Sequence, residues 1–274
     1  MARGTKRIAF IGDLHCGHRA GLTPPDWRFR ECSTEHVWKK FTQVQTEMWR
    51  LYTGIIKKLN PIDCLVVNAD CIDGRGEKSG GVELITGDRE EQAKMAVDCI
   101  LPWKTDTIIM TEGTGYHTGA FESWENVIAN MLRAKGKSVK IGAHEWVDVN
   151  GYVFDVKHHI GSSSIPHGRY TSPAKDEIWN ALWHEAGLQP RGDCFIRSHI
   201  HYSVGGHRWV GNKKKRFLTL PALQAMGTRF GSLRCSGLVD WGVVAFDIDA
   251  KGNIVCEHEH ITTIAPTIAK VYKV

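Results

Sequence analysis

An α/β fold in one domain is what the sequence predicts, on three observations. Short, β-branched apolar runs alternate with longer segments of helical periodicity through the first half of the chain. Aspartates and histidines follow several of those runs, at the strand ends where open α/β sheets carry their ligand sites. Past residue 136 hairpin signals take over, so the sheet becomes mixed. At 274 residues the chain is long enough for one large domain, residues 1 to 274, and no repeat, low-complexity tract or linker divides it.

In order, Lys6 to Gly12 reads as a strand delivering Asp13 and His15 to its C-terminal tip. Residues 16 to 32, rich in Gly, Pro and Arg, make a long surface loop beside them. From Thr34 the apolar residues Val37, Phe41, Val44, Met48, Tyr52, Ile55 and Leu59 recur every three or four positions, one face of a long helix that Asn60-Pro61 stops. Cys64 to Asn68 is a buried parallel strand ending on Asp70 and Asp73. A helix follows within Arg89 to Leu101, a strand at Thr107 to Thr111, and a helix within Phe121 to Ala134, with His117 between strand and helix and Gly136 as a stop.

Ala143 to Val149 and Tyr152 to His158 flank Asn150-Gly151, a hairpin turn. Ser172-Pro173 caps a helix running to about Ala186, and Cys194 to Arg197 leads as a strand into His199 and His201. Antiparallel strands complete the chain: Arg208 to Val210 and Arg216 to Leu220 around a Gly-Asn-Lys-Lys-Lys tip, then Val243 to Asp247 and Ile254 to His258.

Composition narrows the function classes. The apolar runs fall far short of the roughly 20 residues that span a bilayer, so no membrane segment is expected. The apolar stretch after the basic N-terminus, Ile8 to Ile11, runs at once into Asp13 and lacks a signal-peptide core, which makes the cytoplasm the expected location. Eight cysteines without a C-x-x-C pair signal neither a zinc knuckle nor a disulfide framework; reduced thiols are expected. The formal charge of +5 favours anionic partners mildly and is too small to diagnose nucleic-acid binding.

Chemistry resides in five short clusters: Asp13-Leu14-His15, Asp70 with Asp73, His117 within Gly113-Thr114-Gly115-Tyr116-His117, His158-His159, and His199-Ile200-His201. Together they supply the carboxylate and imidazole donors that two divalent cations require for hydrolytic work. A lone D-x-H or H-x-H arises often by chance; the order of five, brought to one sheet edge, is what specifies a site. Gly113-Thr114-Gly115 with Gly119 misses the spacing of a dinucleotide loop, and Gly74-Arg75-Gly76 with Gly80-Gly81 lacks the Lys-Ser/Thr ending of a phosphate-binding loop.

This order resembles the calcineurin-like metallophosphoesterase superfamily, whose pattern is D-x-H, G-D-x-x-D/N, G-N-H-D/E, H, and G-H-x-H, and in particular its compact phage and bacterial members. The resemblance spans residues 8 to 202 and implies two mixed sheets packed face to face as a sandwich flanked by helices, the C-terminal strands fitting its second sheet generically. It implies Asp13, His15 and His201 on a first metal, Asp70 bridging, His158 and His199 on a second, and a bridging hydroxide as nucleophile. His117 would orient phosphate or protonate the leaving oxygen.

The second-metal asparagine is replaced: Tyr116 precedes His117, and Thr114 is the nearby oxygen donor, so Thr114, Tyr116, Asp73 and His159 are candidate second-metal or substrate contacts. Small residues, Ala69 and Ser198, stand for the usual glycines. Adjacent strand residues face opposite ways, so His158 and His159 both stay open, with His158 favoured as the first residue past its strand. Arg75 and His18 are candidate substrate contacts, Arg75 one position later than the arginine of related protein phosphatases.

The implied cofactors are two divalent ions, manganese foremost and iron, zinc, cobalt or nickel as alternatives. The implied reaction is hydrolysis of a phosphate ester. A nucleotide or nucleic-acid phosphodiester is favoured on the basic balance, the Trp27 to Arg30 loop and the Lys213 to Arg216 tip; a phosphomonoester, or a binding scaffold that has lost turnover, is the alternative. Oligomeric state is not legible.

Overall fold

The computed structural model describes residues 4–28, 36–118, 123–227 and 238–265. Two mixed sheets pack face to face with helices outside them, the α/β sandwich expected. The first strands are β1 (Lys6–Gly12), β2 (Cys64–Asn68), β3 (Thr107–Thr111) and β4 (Ser138–Gly142), all parallel to one another. The helices between them are α1 (His36–Leu59), α2 (Arg89–Ile100), α3 (Gly115–Thr118) and α4 (Trp124–Ala134). β5 (His144–Val149), β6 (Tyr152–Lys157), α5 (Thr171–Glu185), β7 (Cys194–Arg197), β8 (Gly205–Val210) and β9 (Lys213–Thr219) follow, and β10 (Trp241–Ile248) and β11 (Ile254–Thr262) close the chain.

The six-stranded sheet has the order β11-β10-β1-β2-β3-β4 and the five-stranded sheet β5-β6-β7-β9-β8. β10 therefore joins the first sheet antiparallel beside β1, β11 pairs antiparallel outside β10, and only β8 and β9 complete the second. That corrects the expectation that all the C-terminal strands belong to the second sheet.

Alternation along the central strands decides which layer each side chain enters. Ile8, Phe10, Cys64 and Val66 point into the space between the sheets, where they meet Phe154, Val156, Ile196, Leu218, Val244 and Phe246. Phe10, Phe154 and Phe246 form its centre, with ring centroids 5.1, 5.9 and 5.5 Å apart in tilted and edge-on pairs. Their neighbours Ala9, Ile11, Leu65 and Val67 point the other way, onto α1, α2 and α4 through Met48, Tyr52, Ala96, Ile128 and Leu132. Two-sided burial explains why these strands read as unbroken apolar runs.

Several local expectations shift. β4 sits beside β3, yet its pattern Ser-Val-Lys-Ile-Gly carries little apolar signal because it is the half-exposed edge of its sheet. The lysines assigned to a hairpin tip are strand residues of β9, and the turn is Gly211-Asn212. α5 starts one residue before Ser172, with Tyr170 as its N-cap and no side-chain cap, so the Ser172-Pro173 cap is not formed. The six described cysteines are free thiols, five of them buried. Among the described residues no helix is long and apolar enough to cross a membrane.

Candidate metal centre

Each cluster lies where a strand releases the chain. Beyond β1 and β2 the two segments keep parallel company: Asp13 N–H donates to Ala69 O, His15 N–H to Asp70 O, and Cys16 N–H to Cys71 O. The carboxylates and imidazoles are thereby fixed to one another by backbone. β6 and β7 bring His158 and His199 from the second sheet, with Ser198 N–H donating to His158 O and His199 N–H donating to Asp13 Oδ2 at 3.2 Å.

Backbone strain concentrates here. Of the seven non-glycine residues with positive φ among those described, six are Asp13, His15, Ala69, Asp70, His199 and His201. Such conformations cost on the order of 1 kcal/mol or more each and persist when surroundings enforce them, a pattern of ligand-binding sites.

Two triads result, each with ligand atoms within 4.8 Å of one another: Asp13, His15 and His201, and Asp70, His158 and His199. A third grouping, His15, Asp70 and His117, joins them. His15 Nε2 and His201 Nε2 face each other at 3.1 Å, and Asp13 Oδ1 lies 3.3 Å from the latter. That oxygen is buried and has no hydrogen-bond partner. In the other triad Asp70 Oδ2 is 2.9 Å from His158 Nε2 and 3.9 Å from His199 Nδ1. Two imidazole nitrogens converging on an unpaired buried carboxylate oxygen fit a divalent cation, as does the nitrogen and oxygen donor set.

Tautomers follow from the outer partners. His15 Nδ1 lies 3.1 Å from Asp73 Oδ1, His158 Nδ1 donates to Asn68 O at 2.8 Å, and His117 Nδ1 donates to Asp73 O at 2.9 Å. In each the Nε2 atom is left to face the centre, the arrangement that orients a metal-binding histidine. Burial and the nearby His117 push His15 down to about 4, so it is neutral with its lone pair available. Burial opposes the charge on His158, yet Asp70 outweighs it and holds that imidazolium up to about 9. Burial also works against Asp70, and His158 keeps its carboxyl well below the usual range.

The remaining candidates divide. Asp73 orients His15 and His117 and belongs to neither triad; burial would raise its pKa, but His15 and His18 hold it at about 2. Thr114 donates its backbone N–H to Asp70 Oδ1 at 2.9 Å and its hydroxyl at 3.3 Å, so it positions the carboxylate. The Tyr116 ring stands edge-on to His117 with centroids 4.8 Å apart. His158 is buried among the ligands, whereas His159 is exposed and lies against the His199 ring at 4.7 Å. Arg75 is exposed, next to Gly74, whose missing Cβ leaves room for His117 O. His18 is 5% exposed, accepts the Ala20 N–H and faces Glu83 at 3.7 Å, so it organises its own loop.

Two residues escaped sequence reasoning. Asn68, the last residue of β2, ties the sheets together: its Nδ2 donates to Ser198 Oγ at 2.7 Å and its Oδ1 accepts from Thr111 Oγ1 at 2.6 Å. A polar residue ending an otherwise apolar strand was the available signal. Glu125, in the first turn of α4, is fully buried with neither carboxylate oxygen hydrogen-bonded. A Cβ on Gly113 would sit 2.5 Å from Asp70 Oδ1 and 2.6 Å from Glu125 Oε1, so the two carboxylates flank one point. Burial, with Asp70 beside it, pushes Glu125 up to about 7.

The basic features behind the nucleic-acid expectation lie apart from this centre. β9 pairs with β7 so that Thr219 stands beside Arg197, at the metal end, and Lys213 is at the opposite end of the strand. Lys215 is bound by Asp193 and Arg216 by Glu257. Of the Trp27 to Arg30 loop, Trp27 donates to Asp98, and residues 29 and 30 lie outside the described residues.

No family model and no curated protein matches the chain. Solved structures similar to it include Vps29 complexed with zinc from Entamoeba histolytica, at 12% identity over 93% of this chain and 98% of that one, with a TM-score of 0.42. A novel archaeal phosphodiesterase is 13% identical over 93% and 99%, with a TM-score of 0.45. A metallophosphoesterase from Sphaerobacter thermophilus is 11% identical over 92% and 87%, with a TM-score of 0.35. Likenesses this distant assign no role to any residue here.

Proposed function

We propose that the chain is a metal-dependent phosphoesterase. The observation that carries this reading is the convergence of the Asp13–His15–His201 and Asp70–His158–His199 triads around a buried, unpaired carboxylate oxygen. Asp13, His15 and His201 would hold one divalent ion, and His158 and His199 a second, with Asp70 between the two sets. Ions held there supply positive charge against phosphoryl oxygens and bring the pKa of water toward neutrality.

The protein's own groups do the rest. Asp73 and Asn68, facing Nδ1 of His15 and His158, turn Nε2 of each ring toward the centre. Thr114 fixes Asp70 through two donors. His117, anchored at Nδ1, holds Nε2 3.9 Å from Asp70 Oδ2, at the mouth of the centre, where it orients phosphate or gives a proton to the leaving oxygen. His159 stands beside His199, and exposed Arg75 follows Gly74 in the same loop as Asp73; both would contact the ester's anionic and leaving groups.

The substrate reading is a phosphodiester of a nucleotide or nucleic acid, supported by the +5 charge and by exposed Arg75, two residues after Asp73. Metal-stripped protein resupplied with single divalent ions, manganese first, is expected to bind two per chain and to hydrolyse bis(p-nitrophenyl) phosphate in preference to the monoester. Asp70→Asn should lose more than about 100-fold of that rate, beyond what outer-sphere changes typically cost. Equal turnover by wild type and variant would remove the catalytic assignment; a strong monoester preference would remove the diester reading alone.

A further inference from the structure

α5 is an amphipathic helix turned inside out. The residues it buries against the second sheet include Glu177 and Asn180, held by Arg191 and Arg208 on the one and by Arg191 and Gly192 N–H on the other. Asp176 binds the fully buried Arg197 at 2.7 Å. The opposite face carries Ile178, Trp179, Leu182 and Trp183, exposed by 49, 51, 55 and 44%. Tyr170 before the helix and Leu188 after it are exposed as well, by 47 and 67%. A surface helix of a lone globular chain does the reverse, burying its apolar stripe.

We propose that a second copy of this chain covers the face, α5 against α5 about a two-fold axis. At the 150 to 250 Å² that an aromatic side chain carries, these half-exposed residues present on the order of 500 Å² of apolar surface. That exceeds a scattered surface hydrophobe and, with a polar rim, approaches the roughly 800 Å² per partner of a stable interface. The face is also complementary to itself. A dyad near residues 180 and 181 sets Trp179 opposite Leu182 and Ile178 opposite Trp183 of the second copy. Exposed Lys175 at one end then meets exposed Glu185 at the other, as an isologous contact requires. A lipid surface fits less well, since on the helix only Lys175 offers a cation beside the apolar residues and Glu185 opposes it.

Sedimentation equilibrium at micromolar concentration tests this. Wild type is expected to be a dimer, and the double variant Trp179→Glu with Leu182→Glu to dissociate at least about 100-fold more readily, as loss of two central anchors would give. Far-UV circular dichroism checks that the variant is folded. Because the anchors and both charged ends are exposed, a second pair isolates the contact itself: Lys175→Glu weakens the dimer and Lys175→Glu with Glu185→Lys restores it. A wild type that stays monomeric, or a dimer that all these variants leave intact, overturns the proposal. A monomer that sediments with anionic vesicles through Trp179 assigns the face to lipid and overturns it equally.

Discussion

Glu125 shows how one side chain can matter without advertising itself. In sequence it is an acid in the first turn of a helix, the commonest place for one. In the fold it is sealed behind Asp70 without a hydrogen bond. With its pKa raised to about 7 from 4.5, the native state of the metal-free protein holds this proton more tightly than the unfolded chain. The stability it contributes is therefore full below about pH 4.5 and is lost as pH rises through about 7, by roughly 3 kcal/mol in all. Glu125→Gln removes that dependence, so in chelator-treated protein the variant should gain on wild type between pH 5 and pH 8 in urea denaturation. Curves that stay parallel at both pH values would show the carboxyl to be solvated. His117 makes the complementary case, since its motif was legible and its role is chemical. His117→Asn is expected to lower kcat by about 100- to 10,000-fold while calorimetry still counts two ions per chain; loss of an ion instead would move His117 among the ligands.

At the scale of elements, the legible parts were those whose burial is two-sided or strictly periodic. β1 and β2 read correctly because every residue from Ile8 to Ile11 and from Cys64 to Val67 is buried. α1 read correctly because Phe41, Val44, Met48, Tyr52, Ile55 and Leu59 all face the sheet. β4 was invisible because an edge strand gives no alternation, and α3 because its four residues are too few to show a period. α5 was found as a helix, but its apolar positions mark an outward face. The loop from β3 to α3 holds the most exacting geometry: Gly113 is placed where a methyl group would strike both Asp70 and Glu125. Gly113→Ala should thus weaken cation binding by about 10- to 100-fold, the usual effect of disturbing a ligand's support. Unchanged isotherms would mean that the loop yields without moving Asp70.

Across the whole molecule the centre is a seam. Asp13 and Asp70 come from the first sheet, His158, His199 and His201 from the second, and Asn68 is the hydrogen-bonded pin between them. The order of the motifs made this convergence legible, whereas the pins did not appear, because hydrogen bonds between distant strands leave no local pattern. Cations that bind only the native arrangement should stabilise it. At a free concentration of 100 times Kd the gain is about 2.7 kcal/mol per ion, which for a chain of this size corresponds to a rise in Tm of about 5 to 10 °C. Adding manganese to stripped protein should produce that rise, and Asp70→Asn, which touches both sets, should abolish most of it. A second cluster offers a control, since Asp247, Cys256 and His258 lie within the same 4.8 Å limit on β10 and β11. Asp247 is already gripped by Arg7 through two hydrogen bonds of 2.6 and 2.7 Å, a cation that excludes another. Cys256→Ser should therefore leave the manganese-dependent shift untouched. If it removes the shift while Asp70→Asn preserves it, the stabilising ion sits on the C-terminal strands and the seam holds none.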